Sequence, residues 1–198
     1  GSVILQSAVN TLGSDAVASV TAASKISMFI VCPFDSMGAT MATYGGQNAG
    51  GYKLDRLHKG LGSCIILGAV YSVIGLLIIV AFGPHLLKLF VSGSETGILA
   101  DAQHFLLING LFYFPLALVN IVRFMIQGMG FGFFAIIAGV LEMAARTLVG
   151  AVFVPIFGYN AACFASPLAW IFADCFLIPA YFVVWNRMKR HKEAYRQV

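Results

Sequence analysis

Charged side chains are rare in this sequence, and five of them fall inside long apolar stretches. A charge in the hydrocarbon region of a membrane costs about 3 kcal/mol or more, so such residues usually face a cavity or a partner. An acid placed there is suited to hold a proton or a cation, and a base there is suited to pair with an acid. The five intramembrane charges are Lys25, Asp35, Glu142, Arg146 and Asp174.

Asp35 is the first candidate for binding a coupling cation or proton. It follows Pro33 by two residues, and proline removes a backbone donor and tends to kink a helix. A carboxylate beside a broken membrane helix suits cation binding. Lys25 lies roughly 15 Å upstream by helical rise, so the two do not pair within one helix. Lys25 is a candidate for the substrate cavity, with snorkelling or pairing to another helix as the alternative.

Glu142 and Arg146 are four residues apart, acid first, which puts them on one helix face in a favourable orientation. Two interpretations stay open. In one, Glu142 couples to a proton or cation and Arg146 faces the substrate. In the other, the pair neutralises itself and fixes the helix to a neighbour. Asp174, near the middle of the last apolar stretch, is a third coupling candidate.

Uncharged side chains supply further cavity candidates. Tyr113, with Phe112 and Phe114 on either side, could stack on a flat organic cation, although such aromatic runs also meet lipid. Asn109 could line the cavity or form a hydrogen bond between helices. The same two roles are open for three other amides: Gln6, Asn10 and Asn120.

The elements that must position these residues are membrane helices. Apolar residues make up 60% of the chain and charged residues 10%, and the mean hydropathy is +0.89. A soluble domain has roughly a quarter charged residues. We therefore predict an all-α polytopic bundle of about six transmembrane helices, the first truncated. The predicted helices are 1–12 (partial), 16–47, 58–82, 97–127, 132–157 and 161–188, and a basic tail follows at 189–198.

Basic residues orient this bundle. With six alternating crossings, nine lysines and arginines fall on one side and only Lys88 on the other. The positive-inside rule makes the basic side cytoplasmic, so the tail is predicted inside the cell. The segment 84–92 is too short to span and is predicted to be an interfacial segment or a loop.

Several function classes find no support. The sequence has no nucleophile elbow, zinc-protease motif or P-loop, so an enzyme is not predicted. Basic residues sit at helix ends without interleaved aromatics, which argues against nucleic acid. The cysteines are interpreted as small apolar side chains rather than metal ligands. They are Cys32, Cys64, Cys163 and Cys175.

Four segments, taken in order, resemble the multidrug and toxic compound extrusion (MATE) family. Each resembles the end or the body of one helix in the C-terminal half of such a transporter. They are VILQSAVNTLG at 3–13, the run 33–60 with Gln47 and Asn48, the run 123–130 with Arg123, Gln127 and Gly128, and Glu142-x-x-x-Arg146 with Pro155 and Gly158.

The resemblance implies a twelve-helix carrier in two lobes, of which this chain would be the C-terminal one. It implies export of small amphipathic organic cations from the cell by H⁺ or Na⁺ antiport, with no cofactor beyond the coupling ion. The expected partners are membrane lipid and an N-terminal six-helix lobe. Some members carry a carboxylate in the tenth helix, but residues 105–122 contain no acid.

Two other functions stay open. The wider superfamily includes flippases for lipid-linked precursors, and such a role would favour several cationic residues deep in the cavity. The chain could also be a structural half that does not transport alone. Gln47 and Asn48, beside several glycines, are interpreted as capping or gating residues at a helix end rather than as chemistry.

Overall fold

A computed structural model describes residues 2–92 and 95–196, and side chains within 3–92 and 95–190. The side chains of most of the predicted basic tail therefore lie outside the described residues. All regular structure in the described part is helical, which confirms the predicted all-α class. In chain order the elements are α1 (Ser2–Asn10), α2 (Ser14–Gly50), α3 (Leu54–Leu87), α4 (Thr96–Leu111), α5 (Tyr113–Gly128), α6 (Gly132–Leu148), a π-helical turn (Val149–Phe153), α7 (Val154–Phe157) and α8 (Tyr159–Arg196).

Four helical stretches are long and apolar enough to cross a membrane by themselves. They are α2, α3, the continuous α6–α7 stretch (Gly132–Phe157) and the Tyr159–Arg190 part of α8. The helices α4 and α5 meet at 51°, and the pair is long and apolar enough to be a fifth span if it crosses as one broken helix. With nine residues, α1 extends roughly 14 Å and is too short to cross. The chain is therefore a membrane-embedded helical bundle.

The break between α4 and α5 has a local cause. The sequence predicts one helix over 97–127, whereas α4 ends at Leu111 and α5 begins at Tyr113. Pro115 lacks the amide hydrogen that would bond to the carbonyl of Leu111, and its ring crowds that carbonyl. The opposite difference occurs at Pro84, where α3 continues through the proline to Leu87 instead of ending near residue 82.

The helix α5 lies at the centre of the bundle, between α2, α3, α6 and α8. Its contact with α2 is close because small residues face each other there. A side chain at Gly128 would place a Cβ 2.8 Å from the Cα of Ala42, and one at Gly45 would lie 3.0 Å from the Met125 carbonyl oxygen. These contacts fix the rotation of α2 against α5.

Three helical stretches expose long apolar faces. On the α6–α7 stretch this face consists of Phe133, Ile136, Val140, Met143, Leu148, Val152, Phe153, Ile156 and Phe157. On α3 this face consists of Ile66, Leu67, Val70, Val73, Ile74, Leu77 and Val80. On α8 it consists of Phe164, Leu168, Phe172, Ile178 and Phe182. Faces of this size would be unstable in water and are suited to contact lipid tails.

Candidate functional site

The helix α2 exposes a face of different chemistry, which we call the polar face. Its hydroxyl, thiol, amide and charged side chains recur every three or four residues over most of the helix. Among the exposed residues of 21–47, only Met28, Phe29 and Ala39 are apolar. A face this polar is poorly suited to lipid and is typical of the wall of a water-filled cavity. The polar face comprises Thr21, Ser24, Lys25, Cys32, Asp35, Ser36, Thr40, Thr43 and Gln47.

Asp35 lies near the middle of the polar face. Its carboxylate is exposed, and its Oδ1 accepts a hydrogen bond from Nδ2 of Asn120 at 3.3 Å. Asn120 is buried on α5, so the packing of α5 against α2 holds the acid in place. Pro33 lies two residues away, about half a helical turn, and does not break α2. Asp35 can therefore reach water while one of its oxygens remains fixed.

Glu142 is held between two arginines, and we call Arg123, Glu142 and Arg146 the ionic cluster. Arg123 on α5 donates to Oε1 of Glu142, and Arg146, one turn along α6, donates to Oε2 at 3.1 Å. The Glu142 side chain is 11% exposed, and each arginine side chain is 20% exposed. Both carboxylate oxygens are thus occupied by guanidinium groups, and the cluster joins α5 to α6.

Asp174 on α8 lies close to the ionic cluster. It is buried and interacts electrostatically with Arg123, but its Oδ1 has no hydrogen-bond partner among the described residues. Nε of Arg123 is also buried without a partner in the described part of the chain. The structure therefore brings Glu142, Arg146 and Asp174 into one region. Asp35 lies on α2 instead, where it is bound to Asn120 of α5.

Lys25 lies on the polar face toward the start of α2, in an open cavity of about 560 Å³. Its Nζ lies 5.4 Å from the centre of the Phe90 ring, a cation–π contact. The cavity also has Asn10, Thr21 and Glu95 in its wall. Lys25 forms no ion pair with another described residue. It is exposed and belongs to a different part of the face from Asp35.

Two cavity candidates lie inside the bundle instead. Tyr113 is 1% exposed, and its ring packs against Phe34 with 5.8 Å between ring centres. Asn109 is buried and donates to the carbonyls of Phe105 and, on α8, Cys163. In this arrangement both residues hold helices together.

The residues of the sequence motifs lie where α2 meets the ends of α3 and α5. Asn48 is buried, and its Nδ2 donates to the carbonyl of Tyr44 at 2.9 Å. Gln47 and Gln127 are exposed. Gly128 allows the close contact with α2 described above. The structure therefore brings these residues near the basic end of the bundle, away from Asp35.

The sequence does not predict two of these contacts, that of Arg123 with Glu142 and that of Asn120 with Asp35. It places Arg123 only in a family-like segment, and it leaves both the cavity wall and an interhelical hydrogen bond open for Asn120. The polar face itself had a signal, because Cys32, Ser36, Thr40 and Thr43 follow one another at spacings of three and four. The partners of Glu142 and Asp35 had no such signal, since they depend on how α5 is rotated.

Comparison with known proteins gives one family and one fold. The MatE family model matches residues 1–156. No sequence match is found among curated proteins. Solved structures supply the fold comparison.

Three solved structures illustrate the likeness. An outward-facing multidrug resistance MATE family transporter of the MOP superfamily is 20% identical, with a TM-score of 0.82 over 94% of this chain and 42% of its own. A MATE structure in the bent conformation is 20% identical, with a TM-score of 0.80 over 96% and 42%. A MOP superfamily transporter from Pyrococcus furiosus, whose reversed pocket polarity suggests a different function, is 18% identical, with a TM-score of 0.77 over 89% and 39%. The chain thus spans about two-fifths of each of these structures.

Proposed function

The chain belongs to the MatE family, and from that premise we propose that the transporter containing this lobe exports small amphipathic organic cations in exchange for H⁺ or Na⁺. The observation that carries the proposal is the position of Asp35, the one acid on the polar face of α2. A lone carboxylate on a wet wall inside a membrane attracts cations and can exchange protons with the cavity.

The contact with Asn120 supports this role. Its amide donates to Oδ1 alone, which leaves Oδ2 of Asp35 without a partner in the described part of the chain. That oxygen is available for a proton, a sodium ion or the cationic end of a substrate. Neutralising the carboxylate with a proton removes its attraction for an organic cation, so the two ligands compete and transport in opposite directions is coupled.

We further propose that the basic end of the bundle is cytoplasmic in the cell membrane. Lys53, in the turn between α2 and α3, and Arg56 and Lys59, in the first turns of α3, lie at the same end as Arg187 and Lys189 on α8, because His58 packs against Trp185 there. Positive charge next to membrane helices marks the cytoplasmic side. In this orientation Asp35 receives substrate from the cytoplasm and protons from outside.

Flipping of a lipid-linked precursor is less well supported. That function needs free cationic groups deep in the cavity to hold phosphate. Arg123 and Arg146 are instead bound to Glu142, and Lys25 lies in the first half of α2, away from the basic end of the bundle. The polar face therefore offers one acid and one base, which fits an organic cation better than a pyrophosphate.

The test is Asp35→Asn in the full-length protein, reconstituted in liposomes. Efflux of a cationic dye is measured against an imposed pH gradient and, separately, an imposed sodium gradient. We expect a loss of at least tenfold in driven efflux with unchanged expression and unfolding temperature. Asp101→Asn, at an exposed acid in the second turn of α4, is the matched control and should transport normally. Normal efflux by the Asp35 variant would remove this residue from the mechanism.

A further inference from the structure

A groove at the basic end of the bundle has no role in the transport proposal, although Gln47, the last residue of the polar face, lies in its wall. It has a volume of about 540 Å³, and it is lined by Tyr44, Gln47, Asn48, Gly51, Lys53, Arg56 and Lys59. Three of these seven residues are basic and none is acidic. We propose that this groove, which we call the basic groove, binds the headgroup of an anionic glycerophospholipid of the surrounding membrane leaflet.

The groove is built by a tight connection between two helices. Gly51 and Tyr52 link α2 to α3, with Tyr52 in the left-handed region at φ 51°. The amide of Lys53 then donates to the carbonyl of Asn48 at 2.8 Å, which closes the end of α2. This turn places Lys53 opposite the last turns of α2, at one wall of the groove.

Tyr44 fixes the other wall. Its hydroxyl donates to the backbone carbonyl of Arg56 at 2.7 Å. Its ring occupies the space beside Gly60, where an added Cβ would lie 2.7 Å from the Tyr44 hydroxyl oxygen. The first turns of α3 are thereby held against the end of α2, so the groove does not depend on a flexible loop.

The charges of the groove are not neutralised by the protein. Lys53, Arg56 and Lys59 are exposed, and none of them forms an ion pair with another described residue. Asp55 is the nearest acid in sequence and is also exposed, so the stretch 53–59 keeps a net charge of three positives minus one negative. Gln47 adds an exposed amide that is free to donate. Several donors around an excess of positive charge suit a phosphate group.

The position of the groove along the membrane normal indicates that this phosphate belongs to a lipid. Lys59 precedes Ile66, the first residue of the lipid-facing side of α3, by roughly 10 Å of helical rise. Beside it, His58 contacts Tyr181 on α8 at 3.0 Å, and its ring lies 4.6 Å from that of Trp185. Aromatic side chains of this kind mark the membrane–water boundary. The groove therefore lies at the level of lipid headgroups, where basic pockets between helices bind anionic lipids.

The test uses the purified full-length protein in detergent and counts bound lipid by native mass spectrometry. The probes are phosphatidylglycerol and, with the same acyl chains, phosphatidylcholine. We expect preference for phosphatidylglycerol, and a loss of roughly tenfold or more in its binding by Lys53→Ala/Arg56→Ala/Lys59→Ala. The matched control is Lys189→Ala/Arg190→Ala/Lys192→Ala, which removes equal charge from the tail and should change binding less than threefold.

A neutral variant separates the groove from diffuse attraction. Gln47→Leu changes neither the charge of the groove nor the basic residues that set the orientation in the membrane. It removes one hydrogen-bond donor to the phosphate, so we expect a several-fold loss of phosphatidylglycerol binding. Equal losses in the groove and tail variants, or no loss with Gln47→Leu, would overturn the proposal. So would equal binding of the two lipids. Competition by glycerol phosphate at the same concentration as the lipid would show a site for a soluble anion instead.

Discussion

Arg123 on α5 donates a hydrogen bond to Glu142 on α6, and Arg146 occupies the second oxygen of the same carboxylate at 3.1 Å. One carboxylate thus pairs with two guanidinium groups, that of Arg123, 19 residues upstream, and that of Arg146, four residues downstream. In a low-dielectric interior, removing the shared partner leaves both guanidinium groups without their hydrogen-bonded carboxylate, and the charge of Asp174 compensates only that of Arg123. The ionic cluster is therefore expected to matter for folding before it matters for transport.

The first prediction concerns that cluster. Glu142→Gln should destabilise the purified protein by about 3 kcal/mol, because it leaves two partly buried guanidinium groups unpaired. Thermal unfolding in detergent measures the loss. Glu95→Gln, at an exposed acid before α4, should stay within about 0.5 kcal/mol of the parent. A Glu142 variant as stable as the parent would contradict the structural role of the cluster.

The second prediction tests the close contact of α2 and α5. Gly128→Ala places a methyl group 2.8 Å from the Cα of Ala42, so overpacking should cost about 1–3 kcal/mol. Gly139→Ala on α6 meets nothing within 4 Å and should stabilise the protein by roughly 0.5–1 kcal/mol through helix propensity. The two substitutions are chemically identical, so opposite shifts in thermal unfolding isolate packing. Shifts of the same sign would show that the two helices are not in this close contact.

The spans were predictable from sequence because hydropathy is a local property. The segment 61–82 carries no charge, and α3 contains it entirely. The ends of α3 were not predictable in this way, since Leu54 and Leu87 are fixed by the tight turn at Tyr52 and by packing. The break at Phe112 had a visible cause in Pro115, but Pro33 and Pro84 leave their helices continuous. Proline alone does not decide between a bend and a break.

The partners of the buried charges were not predictable, for a geometric reason. Spacing places Glu142 and Arg146 on one helix face, and the structure pairs them. The contact of Arg123 with Glu142 and that of Asn120 with Asp35 depend on the rotation of α5 against two different neighbours. That rotation is set by small residues such as Gly45 and Gly128 rather than by any local pattern.

The third prediction uses the native cysteines as probes of the two kinds of exposed face. Cys32 lies on the polar face, whereas Cys175 is exposed on the apolar face of α8. In single-cysteine variants in liposomes, a water-soluble maleimide should label Cys32 and not Cys175, and a lipid-soluble maleimide should label Cys175. Cys163, which is buried, is the unreactive control. Failure of the water-soluble reagent at Cys32 would contradict a wet cavity along α2.

The fourth prediction separates the two buried acids. Asp174 is as buried as Glu142, but its Oδ1 has no hydrogen-bond partner among the described residues. Replacing it by Asn should therefore cost less than about 1 kcal/mol, because Arg123 keeps its bond to Glu142. Thermal unfolding of Asp174→Asn, measured beside Glu142→Gln, checks this difference. A cost equal to that of Glu142→Gln would make Asp174 a structural member of the cluster.

The same variant also tests whether Asp174 carries a proton during transport. Asparagine has the shape of a protonated aspartate but cannot release a proton, so it fixes one of the two states that antiport requires. We expect Asp174→Asn to remain folded and to lose efflux driven by an imposed pH gradient in proteoliposomes. Unchanged efflux from a folded variant would limit the role of Asp174 to packing. Because the substitution preserves volume and removes only the exchangeable proton, a loss of efflux without a loss of stability can be assigned to proton release.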